Sequence, residues 1–265
     1  MSKNIKDIIS ELKYEDEEFF YYGKSISVDG VKDIKNLQKN YISFVTSKNF
    51  NRYVLKESVI ISNDVSLKDS CNLIFTENPR YIFAQILEVF KDYYPDEDIK
   101  IGKNFKIGEN CVLKNCVIGD NVTINSGTII GETGFGYVRN TKETKIIYFP
   151  HYGKVMIGDD VCIHSNCCVD RGSLTNTIIE NNCKFDNQCH IAHNDHIGEN
   201  TMVSARVMIS GGVKIGKKCW LGSGSSIIDR ISIADNTFLG TGTNVIKSIL
   251  EPNQTWVGNP ARRIK

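Results

Sequence analysis

The stretch Asp186-Asn187-Gln188-Cys189-His190-Ile191-Ala192-His193-Asn194 concentrates more potential chemistry than any other part of the chain, and His196 follows two residues later. Three histidines three residues apart would gather on one side of a helix and could hold a metal ion. A single neutral imidazole, with an ordinary pKa near 6.5, could instead take a proton from an attacking nucleophile. Nine cysteines add a third chemistry, thiol nucleophiles or metal thiolates, yet no Cys-x-x-Cys occurs. Which reading holds depends on the elements that carry these residues.

Those elements are set by a period of six. Ile179, Phe185, Ile191, Ile197, Val203, Ile209, Ile215, Leu221, Ile227, Ile233, Leu239 and Val245 follow one another without a slip. Four residues after each apolar position comes a small or short side chain, among them Cys183, Cys189, Asp195, Thr201, Val207, Val213, Cys219 and Ser225. Neither a helix of 3.6 residues per turn nor a period-2 strand generates this pattern. Repeats of short strand and corner do, and three of them close a triangular coil of 18 residues. Asn, Asp and Gly residues at the corners supply the turns. Proline is absent between Pro150 and Pro252, as a parallel hydrogen-bond ladder requires.

In this frame His193 occupies the third position of its hexad, whereas His190 and His196 occupy the sixth position of successive hexads. They fall on different parts of the triangle, so no metal site is expected. Cys111, Cys167, Cys183, Cys189 and Cys219 fall in the small inward slot, where packing rather than reactivity explains them. The residue stacked on His193 one coil later is Gly211, followed by Gly212. A glycine there lets a carbonyl approach a backbone N–H, as an oxyanion donor requires. Glu132-Thr133-Gly134-Phe135-Gly136 and Gly222-Ser223-Gly224 open no helix and are not phosphate loops.

The first hundred residues read differently. Lys3 to Leu12 and Pro79 to Tyr94 have helical spacing. Ser25–Asp29, Tyr41–Val45, Val59–Asn63 and Asn72–Thr76 read as strands. The expected organisation is a small α/β domain over residues 1–98 and a β-helix over 99–265, the latter interrupted by a loop excursion at 132–154.

The hexapeptide pattern resembles the left-handed parallel β-helix of the hexapeptide-repeat acyltransferases. The segment Asp186 to Asn194 is similar to the catalytic segment of the UDP-3-O-acylglucosamine N-acyltransferases, and Ile42 to Phe50 with Glu77-Asn78-Pro79-Arg80-Tyr81 is similar to their nucleotide-recognition domain. The resemblance implies that His193 is the general base, that Gly211 N–H holds the oxyanion and that Asp186 orients the base, a corner turn being the plainer role for Asp186. It implies that Phe44 and Phe50 flank a nucleotide base, with Ser47 where the family often has asparagine. As plain residues, both Phe are core of a small domain. Asn187 falls where the family contacts the pantetheine arm, and Gly212 and Arg230 extend the donor side. Arg230 stands where a second histidine is found in the lipid A enzyme. The ending Trp256 to Ile264 looks like the last strand of acyl-CoA-dependent sugar acyltransferases, so Arg262 and Arg263 either meet CoA phosphates or form a solvated basic terminus.

The expectation is therefore an N-acyltransferase moving an acyl group from acyl-CoA to a nucleotide-linked amino-deoxy sugar, of the dTDP-3-amino-3,6-dideoxyhexose kind, for surface polysaccharide synthesis. The second reading is UDP-3-O-acylglucosamine N-acylation in lipid A synthesis with an acyl carrier protein as donor. A non-catalytic β-helix scaffold is the reading from another class. The resemblance implies a homotrimer with sites between subunits. Balanced charge, 32 basic against 31 acidic residues, sets up no field for nucleic acid. No apolar run is long enough for a membrane span. The charged start lacks a signal-peptide core, which points to the cytoplasm.

Overall fold

A computed structural model describes residues 2–46, 56–95 and 99–265. The chain divides into two compact units, Met1–Pro95 with Phe135–Pro150, and Asp96–Gly134 with His151–Lys265.

The second unit is a left-handed parallel β-helix. Its three faces are sheets of seven, seven and nine short strands. The face that matters most carries Val112–Leu113, Ile129–Thr133, Cys168–Arg171, His190–Ile191, Met208–Ile209, Ser226–Ile227 and Asn244–Val245. Each strand is two to five residues long because the chain must turn a corner after every hexad. One residue per corner adopts the left-handed conformation, including Asn182, Gln188, Asn194, Asn200, Arg206, Gly212, Lys218, Gly224 and Arg230. Asparagine and glycine tolerate that region best, which accounts for their abundance. All twelve apolar residues of the unbroken run are buried. Each such side chain removed from water contributes roughly 1.5–3 kcal/mol.

The small slot is a second, polar column inside the same core. Cys183 donates its S–H to Gly198 C=O (3.2 Å), Cys189 to Ser204 C=O (3.1 Å) and Cys219 to Ala234 C=O (3.3 Å). Thr201 donates its hydroxyl to Gly216 C=O in the same way (2.9 Å), whereas the Ser225 hydroxyl donates to Gly222 C=O (2.5 Å) in its own coil. The four bonds from Cys183, Cys189, Thr201 and Cys219 each span 15 residues. Every cysteine is a free thiol. Burial pushes the Cys116 and Cys183 thiols up to about 11, so neither supplies a thiolate near neutral pH.

The coil length is not constant. Stacked residues are 18 apart in the unbroken run, 22 apart across the insertion after Asp170 and 39 apart across the excursion after Gly131. The pairing carries across both, Val169 opposite Ile191 and Ile130 opposite Val169, with a bulge between Ile130 and Glu132 where the register shifts by one residue.

The first unit holds a five-stranded sheet in the order Phe20–Tyr22, Asn72–Phe75, Val59–Ser62, Tyr41–Val45, Gly30–Val31. Only the Phe20–Tyr22 edge is antiparallel. The helix Pro79–Val89 starts with Pro79 in its first turn and Asn78 accepting from Tyr81 N–H. It buries Tyr81, Ile82, Phe83, Ile86 and Leu87. The excursion does not stay with the prism as one loop over 132–154. Its hairpin, Tyr137–Arg139 against Ile146–Tyr148, belongs to the first unit. Lys145 pairs with Asp16 at 2.7 Å, Thr141 hydrogen-bonds Glu17 through both its N–H and its hydroxyl, and Asn78 donates to Arg139 C=O.

Candidate functional site

His193 lies at a corner just after the strand His190–Ile191, half-buried, with its ring against Gly211 of the next coil. A Cβ at Gly211 would stand 2.6 Å from His193 Cε1 and 2.7 Å from Nε2, so only glycine leaves room for the imidazole. Gly212 N–H donates to His193 C=O at 2.9 Å, which fixes the stacking of the two turns.

The protonation pattern of the ring follows from Asn194. Its Nδ2 donates to Thr175 C=O (3.0 Å) and to Thr175 Oγ1 (2.8 Å), and its Oδ1 accepts from Ser173 N–H (3.1 Å) and the Ser173 hydroxyl (2.9 Å). The backbone donor and acceptor fix which end of the amide is oxygen. His193 Nδ1 lies 3.0 Å from that Oδ1 and therefore carries the proton. Nε2 is left with its lone pair on the Gly211 side, the form a general base needs.

Gly211 is a corner whose backbone N–H is left open. At the third position of several hexads the backbone N–H is covered by a side chain from the following coil. Lys103 N–H donates to Asp120 Oδ1, Asp159 N–H to Asn181 Oδ1, Ser165 N–H to Asn187 Oδ1 and Lys217 N–H to Asp235 Oδ1, at 2.7–3.1 Å. Above Gly211 that place belongs to Asp229, which turns instead to Arg230 Nε at 3.6 Å. Among the described residues, the Gly211 N–H has no acceptor, and a donor of this kind suits a developing oxyanion.

Two further residues close on the base. His151, 3% exposed, packs edge-to-face on His193 with ring centroids 5.0 Å apart. Arg171 holds that approach by donating to Gly153 C=O at 2.7 Å, and Tyr152 N–H donates to Ser173 C=O. Asp170, mostly buried, lies 3.8 Å from His190 Nε2. A Cβ at Gly134 would meet both Asp170 Oδ2 (2.9 Å) and His193 Cδ2 (3.1 Å), so these two groups share the space over that glycine. Burial raises the Asp170 carboxyl above the usual carboxylate range, and His190 and His193 pull it back.

Within the chain, Asp186 takes the plainer of its two expected roles, the corner turn. Its Oδ1 accepts from Asn187 N–H and Nδ2, and the carboxylate lies 3.8 Å from His164 Nδ1, one corner away from His193. Asn187 is engaged in the same turn and accepts from Ser165 N–H. The carboxylate beside His193 is Asp170. Sequence spacing missed it because an 18-residue step fails across the four-residue insertion; counting from the paired residues Val169 and Ile191 finds it. Ser173 and Thr175 were missed for the same reason, His151 because it follows the longer excursion, and Asn194, although in the segment Asp186 to Asn194, had no assigned role because its partners are those missed residues. Arg230 sits one coil above Gly212, exposed, with its N–H on Gly211 C=O. Arg262 and Arg263 lie at the end of the prism, exposed and paired with Val257 and Trp256, several coils beyond His193.

His190, His193 and His196 do not converge. His196 pairs outward with Glu180 at 2.7 Å, and that bond holds the Glu180 carboxyl below its usual range. Among the described residues, no three His, Cys, Asp or Glu side chains gather as a metal ion would need. No helix among them is long and apolar enough to cross a membrane. In the first unit Phe44 is half-buried, its ring 4.8 Å from Phe83 and 6.3 Å from Phe149. Ser47 and Phe50 lie outside the described residues.

Fold and repeats together define a left-handed parallel β-helix protein built from hexapeptide repeats. The bacterial transferase hexapeptide (six repeats) family model matches residues 98–132. The chain is similar to UDP-3-O-acylglucosamine N-acyltransferase 2 of Legionella pneumophila, 36% identical over 125 residues, 47% of this chain and 29% of that protein. It is also similar to UDP-3-O-acylglucosamine N-acyltransferase of Coxiella burnetii, 28% identical over 208 residues, 59% of this chain and 60% of the relative. The chain thus spans less than two thirds of either curated relative. In fold it resembles UDP-N-acetylglucosamine acyltransferase from Campylobacter jejuni, with TM-score 0.54 and 22% identity over 63% of this chain and 62% of that one. The corresponding protein of Bacteroides fragilis gives TM-score 0.53 and 21% identity over 64% and 71%.

Proposed function

We propose that this protein is an N-acyltransferase that moves an acyl group from a thioester to the amine of a nucleotide-linked amino sugar. The observation that carries the reading is the pairing of His193 Nε2, free to accept a proton, with the uncovered Gly211 N–H one coil away. The amine nitrogen attacks the thioester carbonyl, and the new C–N bond forms as His193 Nε2 takes the nitrogen's proton. Gly211 N–H holds the oxyanion. As the tetrahedral intermediate collapses the C–S bond breaks, and the leaving sulfur receives the proton from His193. Asp170 accepts a hydrogen bond from the neutral amine and sets its lone pair toward the thioester, with the transferable proton facing His193. Asn194 keeps Nε2 in the accepting state.

The names of the relatives favour UDP-3-O-acylglucosamine as acceptor over a dTDP-3-amino-3,6-dideoxyhexose. Acyl carrier protein is then as natural a thioester donor as acyl-CoA. Phe44 and Phe50 remain candidates for stacking on the uracil, Asn187, Gly212 and Arg230 for the donor arm, and a trimer for the working assembly.

A thiol-release assay tests the reading. UDP-3-O-acylglucosamine and a dTDP-3-amino sugar are each offered with acyl carrier protein thioester, acetyl-CoA and 3-hydroxybutyryl-CoA. Release is expected only when thioester and UDP-linked amine are both present, and Asp170→Asn should lower kcat/KM roughly 10²-fold. Release with the dTDP sugar alone would return the acceptor to the deoxyhexose class. No release with any pair would end the enzyme reading.

A further inference from the structure

Asp195 is the one charged residue type in the inward slot of the unbroken run, and it is fully buried. Its Oδ1 accepts from Val213 N–H at 2.8 Å, and its Oδ2 is buried without a hydrogen-bond partner. An ionised carboxylate with one oxygen unpaired in an apolar core is strongly disfavoured. Burial accordingly pushes this carboxyl up to about 9. Donors in this slot follow two patterns: Ser225, Thr237 and Thr243 bond the carbonyl three residues back, whereas Cys183, Cys189, Thr201 and Cys219, in the coils that flank Asp195, bond the carbonyl 15 residues on. For residue 195 that carbonyl belongs to Ser210. Ser210 and Val213 are the residues on either side of Gly211–Gly212.

We propose that Asp195 is a positioning residue which, as the neutral acid, accepts from Val213 N–H and donates to Ser210 C=O, clamping the Gly211–Gly212 turn against the turn that carries His193. The clamp works from inside the prism and touches no substrate. It rests on the acyl-transfer reading for its effect on turnover, but its protonation state does not. The charged group bearing on it is Asp170, whose charge disfavours ionisation further. Thr177 below and Val213 above are uncharged, Lys214 faces solvent, and His196 is turned outward to Glu180.

The sign of the pH effect follows. The folded carboxyl holds its proton far above its unfolded value of 3.8, so its contribution to stability is complete below about pH 4 and declines as pH rises toward about 9. Turnover should fall along an alkaline limb near pH 9 as the donor bond is lost. The test compares Asp195→Asn, Asp195→Thr and Asp195→Val, each checked for native circular dichroism. Valine fits the slot, since Val207 and Val213 fill equivalent places. A packing role therefore predicts an active valine variant. The clamp predicts that Asp195→Val loses kcat roughly 10²-fold with little change in KM, because the turns shift by a fraction of an ångström or more. Asparagine and threonine, which keep a donor, should retain kcat within about threefold of the parent and lack the alkaline limb. A fully active valine variant, an alkaline limb that persists in Asp195→Asn, or three folded but equally inactive variants would each overturn the proposal. Thermal unfolding between pH 5 and 9 needs no substrate. The parent should lose stability more steeply than Asp195→Asn, and equal slopes would refute the neutral acid even if no acyl acceptor were found.

Discussion

The Lys217 corner and the Gly211 corner are the same backbone turn, one coil face apart, put to different ends. At the first, Asp235 reaches down and covers the Lys217 N–H. At the second, Asp229 leans away, the N–H is left open, and the missing side chain makes room for the His193 ring. Side chains satisfy some corner N–H groups of this repeat and leave others open. What sets Gly211 apart is the titratable ring placed beside its open N–H.

The comparison is broken most severely at the base itself. His193→Ala should lower kcat by about 10² to 10⁴ in the thiol-release assay; unchanged turnover would make this corner no different from its neighbours. Next comes Gly211→Ala. Gly211 is outside the left-handed region, so alanine suits the backbone, but its methyl would displace the imidazole. A loss of about 10² to 10³ in kcat with a native circular dichroism spectrum is expected. The smallest effect belongs to the ordinary corner. Asp235→Ala uncovers one N–H and should cost about 1 kcal/mol in urea unfolding while leaving kcat unchanged.

Much of the prism is legible in the chain. The run from Ile179 to Val245, the slot residues and the Asn and Gly corners all take the places that a six-residue period assigns, because each coil repeats one local geometry. In the first unit, Tyr41–Val45 and the helix from Pro79 stand where their patterns put them. Phe20–Tyr22 and Gly30–Val31 had no such pattern, being short edge strands with little apolar alternation.

The site was legible only where the period is unbroken. His193 over Gly211 follows from counting 18 residues; Asp170, His151 and the Ser173–Thr175 support of Asn194 do not. They reach His193 across coils of 22 and 39 residues. Asp186, seven residues before His193, looked like its partner but stands around the corner beside His164.

By itself, then, the sequence determined the β-helix, its inward columns and the pairing of one histidine with one glycine, because these depend on local periodicity and parallel register. The tertiary structure alone decided which carboxylate faces the base, which amide sets its tautomer and which unit receives the hairpin. Those contacts are made by insertions, and where an insertion packs depends on surfaces that the repeat does not encode.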